Sequence, residues 1–187
     1  KANPYHYGHL PGVTVNPDGT GSVTKHYCLG RISHELIQVM PDERTALMGD
    51  DATNGGLFMF VADKARDLSS GTLYVAKWNQ KTKENGGSAD LSWIKLGHAT
   101  SDQVKALADS LKAADILDVK TEDPKDPSYI QIPYSGKPNW VKINSGQELA
   151  AAFLETHRYA AVKGGSLGFT KMEGTSVNAK DKVAYSV

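Results

Sequence analysis

Apolar and polar residues alternate in short runs over much of the chain, at Val13–Val15, Leu36–Met40, Thr45–Met48, Leu57–Val61, Thr72–Trp78, Leu91–Leu96 and Val183–Val187. Each run is bounded by Gly, Pro, Asn or Asp. Runs so short and so bounded predict strands. "MPDERT" joins two of them through Pro41 and Asp42, and "VNAKDKV" at 177–183 precedes the last. Both stretches carry the chemistry of tight reversals, so two hairpins are expected there.

At two places the period becomes helical. Thr100 with Gln103, and Ser145 with Glu148, have the spacing of a capping box, in which an N-cap hydroxyl faces Glu or Gln three residues on. Val104, Leu107, Ala108, Leu111 and Ala114 then make one apolar stripe, and Leu149, Ala152, Phe153 and Ala160 another. Two inserted α-helices, each with one core-facing side, are expected at the periphery of the strands. Between them "VKTEDPKDPSYIQIPYSGKPNW" reads as a Pro-rich surface excursion with a short strand at Tyr129–Ile132. "NQKTKENGGSAD" reads as a second exposed loop. The span 100–160 is therefore expected as a helical and Pro-rich insertion within a single domain.

Closely spaced strands joined by Gly-rich turns argue for a mainly β, antiparallel sheet assembly and against a doubly wound sheet. A β-propeller is one such assembly, although no repeat of fixed period supports it.

Composition narrows the function classes. With 21 basic and 21 acidic side chains the formal net charge is zero, so nothing draws the chain to nucleic acid. No apolar run approaches the roughly 20 residues of a membrane span, and "KANPYHYGHLPG" has no signal-peptide core. Cys28 is the one cysteine, which rules out an intrachain disulfide and a Cys-rich zinc site. The first residue is Lys, and "DKVAYSV" stops on a strand pattern. Both ends read as cut, so the 187 residues are expected to be one incomplete domain whose open strand edges promote self-association.

The sequence lacks GxSxG, a P-loop, GxGxxG after a strand and HExxH. Carboxylate chemistry remains. His34 and Glu35 open one strand, Asp50 and Asp51 close the next, and Glu173 precedes the final hairpin. Neighbouring strand residues point to opposite faces, so Asp50 and Asp51 cannot both aim at one site unless the strand bends. Each has a plainer reading: Glu35 as a solvated strand edge, Asp50-Asp51 before "ATNGG" as turn chemistry. The string fails as an EF-hand, with Val61 where the bidentate Glu belongs. His6, His9, His26, His98 and His157 lack ligand-like spacing and read as surface or satisfied core residues.

Several segments, taken in order, resemble the PhoX-type alkaline phosphatases and their uncharacterised bacterial relatives: "YGHLPGVTV", "LGRISHELIQV", "TALMGDDATNGGLFMFVAD", "GTLYVAKW", "RYAAVKG" and "TKMEGTSVNAKDKVAYSV". They span nearly the whole chain. The resemblance implies a β-propeller-like fold, export to the periplasm or beyond, and hydrolysis of phosphate monoesters with carboxylate-held iron and calcium. It also implies that Glu35 and Glu173 are metal ligands, with His34, Asp50 and Asp51 supporting them. The family's further glutamate near the start is replaced by Pro11-Gly12, and Cys28 does not match its iron-binding cysteine segment. On this basis the chain is expected to be part of a metal-dependent phosphoesterase, inactive alone; the alternative is a non-catalytic propeller-type scaffold. A shared site would bring the two glutamates within roughly 6 to 8 Å.

Overall fold

The computed structural model describes residues 2–187. A two-stranded ribbon, β1 (Leu10–Val15) with β2 (Gly21–His26), stands apart at the start of the chain. The main sheet follows in strict hairpin order: β3 (His34–Val39), β4 (Thr45–Asp50), β5 (Leu57–Lys64), β6 (Asp67–Thr82) and β7 (Ser88–Thr100), all antiparallel. The "MPDERT" reversal forms as expected. Met40 N–H donates to Thr45 O, and Asp42 accepts from the backbone N–H of Arg44 and Thr45.

Register sets which side chains meet. Ala46 faces Phe60, Phe60 faces Leu73, Met48 faces Phe58 and Phe58 faces Val75, and all six are fully buried on one face of the sheet. That face is covered by helices. α1 (Ser101–Ser110) leaves β7 directly through the predicted capping box: Gln103 N–H donates to Thr100 Oγ1 and Thr100 N–H to Gln103 Oε1. A single turn, α2 (Ala113–Ile116), leads into β8 (Leu117–Lys120). β9 (Ile130–Tyr134) and β10 (Lys137–Ile143) complete a three-stranded sheet in the order β8-β10-β9.

Two helices end this part of the chain, α3 (Glu148–Leu154) and α4 (Thr156–Val162). The five residues Ala150 to Leu154 of α3 are buried. Its close approach depends on Gly97 of β7, where a Cβ would sit 3.0 Å from the Phe153 ring. Burial of Phe153 alone is worth about 2–3 kcal/mol. The last elements, β11 (Thr175–Asn178) and β12 (Val183–Ser186), pair only with each other, and β12 is exposed throughout.

The mainly β, antiparallel expectation stands, with every expected strand present. Five details differ. The second helix is not one piece: Glu155, with φ −119 and ψ 39, breaks it into α3 and α4. Ser145 does not cap it, because Gln147 occupies the N-cap position without a side-chain bond. The helices form a layer of the core rather than its periphery, since α3 buries Ala150 to Leu154. Half of the Pro-rich stretch is sheet, with Pro133 opposite Pro138 at a pair where neither residue can donate an N–H. The expected loop at 79–90 is shortened by both flanking strands, which run to Thr82 and restart at Ser88.

Candidate functional site

The open end of the β3–β4 hairpin gathers most of the carboxylates singled out in the sequence. Asp50 lies opposite His34 in the register, and the pairing then slips by a bulge between His34 and Ile37. A bulge re-aims side chains, and here both Glu35 and Leu36 face solvent. Beyond Asp50 the chain turns sharply, with Ala52 N–H donating to Asp50 O.

The adjacent aspartates part company at this turn. Asp50 is buried: its Oδ1 accepts from Ser33 N–H at 3.0 Å and its Oδ2 lies 2.6 Å from His157 Nδ1 on α4. Asp51 points the other way, to Lys171, whose Nζ is 2.8 Å from Oδ1. The same ammonium is 3.8 Å from Glu173 Oε1. Asp51 foremost, then Glu173 and Glu35, hold the Lys171 ammonium above its ordinary pKa. Three carboxylates thus share one lysine as a neighbour, Glu35 through its field and the other two through contact.

Gly49 makes this meeting sterically possible. A Cβ there would collide with the backbone oxygen and Cβ of Met172, so only glycine lets the 171–173 segment lie against β4. Met172 enters a small apolar cluster with Leu57 and Ala76. Its neighbours Lys171 and Glu173 are exposed, with Glu173 N–H tied to Val187 O. Lys171 takes a left-handed backbone, with φ 56, and from there its side chain and that of Glu173 meet on the open side.

His34 is separated from this cluster. Its Nε2 lies 3.1 Å from Gly30 O, and burial lowers its pKa, so the ring is held neutral against the backbone. Among the described residues, no group of three or more His, Cys, Asp or Glu side chains is disposed to hold a metal ion. The donor type, carboxylate oxygen, suits a hard cation such as calcium, but the number does not: calcium takes six to eight oxygens, and the two carboxylates in contact here already engage an ammonium.

A family model described as alkaline phosphatase PhoX matches residues 3–187. The chain belongs to the PhoX alkaline phosphatase family. No curated protein and no solved structure gives a significant match. Family membership places the open end of the hairpin, with its "GDD" and "KMEG" strings, within the matched region.

Two residues escaped the sequence reading. Lys171 had at most a weak signal, two positions from Glu173 in the sequence. His157 had none: it is 107 residues from Asp50 and was read as a surface or satisfied core histidine. The other histidines fit that reading better. His6 pairs with Asp109 and His98 with Asp63 at the surface. Burial pushes His9 down to about 4.

Proposed function

We propose that this chain carries part of the active centre of an exported, metal-dependent phosphoesterase acting on phosphate monoesters. Membership of the PhoX family supports the reaction class. The single structural observation that carries the site is the gathering of Asp51, Glu173 and Glu35 around Lys171. Glu35 and Glu173 are the metal-facing carboxylates in this reading, with Asp51 beside them and with Asp50 and His34 fixing the turn from behind. Calcium and iron are the metals, and further oxygen ligands come from outside these 187 residues, in a propeller-like parent whose incomplete domain this is. The span 100–160 is then an insertion into that parent.

The chain's own residues do limited work. Gly49 and Met172 position the 171–173 segment, Lys171 keeps like charges together, and the exposed edge leaves the cluster open to solvent and to a partner surface. No step of hydrolysis follows from these groups alone, so the isolated chain is inactive. The exposed edges of β12 also favour self-association; sedimentation showing only monomer at high concentration would remove that part of the proposal. In the protein with the completed centre, Glu35→Gln and Glu173→Gln each lower hydrolysis of p-nitrophenyl phosphate by at least about tenfold, with thermal unfolding unchanged. Unchanged turnover in both variants would favour a non-catalytic scaffold. One observation speaks for that second reading: Pro11-Gly12 stands where the family resemblance implies a glutamate.

A further inference from the structure

Behind Asp50, on the side away from Lys171, a cavity of about 350 Å³ opens between the start of β3, the tip of the β9–β10 hairpin and α4. Its polar wall includes Arg31, Asp50, Glu155, His157 and Arg158, with Tyr134 at the hairpin tip. Every carboxylate oxygen in that wall is taken. Asp50 accepts from Ser33 N–H and meets His157 Nδ1. Glu155 Oε1 accepts from Tyr5 O–H at 2.8 Å and Oε2 from Arg158 Nη1 at 3.0 Å.

Polar nitrogens, by contrast, are left over. Arg158 Nε and His157 Nε2 are buried without a hydrogen-bond partner. Arg31 donates Nε to Tyr7 O and Nη1 to Leu154 O, and among the described residues it makes no ion pair with a carboxylate. Both guanidinium groups are held over rings, Arg158 at 3.9 Å from the Tyr134 centroid and Arg31 at 5.4 Å from that of Tyr5. Stacked guanidinium groups keep a fixed plane and present donors in a rigid fork, the geometry that suits oxyanions. Asp50 fixes the imidazole through Nδ1, so the one ring nitrogen left for a ligand is Nε2.

We propose that this cavity binds a small oxyanion, a phosphate or a carboxylate, with Arg31 and Arg158 as its donors and the His157 ring beside it. The two guanidinium groups share this wall with the carboxylates of Asp50 and Glu155, whose oxygens are already engaged. Such a ligand satisfies the orphaned Arg158 Nε–H without competing with any acceptor. The site is separate from the Lys171 cluster, from which it differs in its polar groups and in enclosure, and it does not depend on the phosphoesterase reading.

Titration of the unmodified chain with inorganic phosphate and, separately, with acetate tests this, followed by calorimetry and by the His157 ring resonances in NMR. At least one anion binds saturably at one site and shifts those resonances, and Arg31→Gln weakens it at least tenfold with the far-ultraviolet circular dichroism spectrum retained. Phosphate binding alone marks a phosphate-type site, acetate alone a carboxylate-type site, and both a general oxyanion site. Should Arg31→Gln fail to fold, the resonance shift in the unmodified chain decides. Absence of saturable binding by either anion overturns the proposal, as do unmoved His157 resonances. Binding lost in Lys171→Met but kept in Arg31→Gln overturns it too, because the anion would then occupy the exposed cluster.

Discussion

Asp50 and Asp51 are neighbours in sequence and belong to different regions of the molecule. Asp50 faces the enclosed side, where it is 1% exposed and its two oxygens meet a backbone N–H and an imidazole. Asp51 faces the open side, where its own side chain is 21% exposed and that of its partner Lys171 58%. The same residue type, one peptide bond apart, is in one case a structural fixture and in the other a member of a loose charged cluster. The difference lies in solvent. A buried carboxylate must have its partners built in, since an unpaired one is costly, whereas a partly exposed one paired with a solvated lysine can exchange it for another cation at lower cost.

The largest expected effect breaks the enclosed side. Asp50→Ala removes the partner of Ser33 N–H and of His157 together and should cost about 3–5 kcal/mol, the range for breaking a buried pair. Asp51→Ala removes only the solvent-screened pair and should cost less than about 1 kcal/mol. Urea unfolding of both variants checks the contrast. Equal losses would mean that the two aspartates are not in different environments.

Acid sharpens the same comparison. His9 is buried and neutral in the fold; its pKa is lowered to about 4, chiefly by desolvation, against 6.5 for the free side chain. Between those values the unfolded chain binds the proton and the folded chain does not. The stability from His9 is therefore full above 6.5 and falls as the pH drops toward 4, by roughly 3 kcal/mol. His34, lowered in the same direction by burial, adds to the loss. Unfolding free energies measured across that window should fall with pH, and His9→Gln should flatten the slope.

What was legible beforehand follows the same division. Alternation placed the strands of the main sheet because its inner face is buried by real packing and the pattern reports it; β1 and β12, also expected, lie outside that sheet and are largely exposed. The capping box at Thr100 was readable because both its bonds are local. The break at Glu155 was not, since it comes from Tyr5 and Arg158 holding the side chain in place, one of them 150 residues away. The strands hidden in the Pro-rich stretch were obscured because proline, which has no N–H, argues against a strand unless it sits where none is needed, as Pro133 and Pro138 do in their facing pair. In the candidate site, the glutamates and the Asp pair were visible as residue types. Their partners, Lys171 and His157, depend on how α4 and the 171–173 segment pack against β4.

A smaller effect than either unfolding test, but a more direct one, is calcium binding at the open side. Calorimetric titration with calcium of the wild-type chain, Lys171→Met, and Lys171→Met combined with Glu35→Gln and Glu173→Gln addresses whether these carboxylates form a cation locus. The wild type should bind weakly, with Kd at or above about 1 mM. Lys171→Met should bind about tenfold more tightly, a change of roughly 1.4 kcal/mol, and the combined variant should lose that gain. Calcium affinity unchanged by Lys171→Met, or unchanged on removing both glutamates, would contradict the assignment of this cluster as the carboxylate part of the phosphoesterase centre.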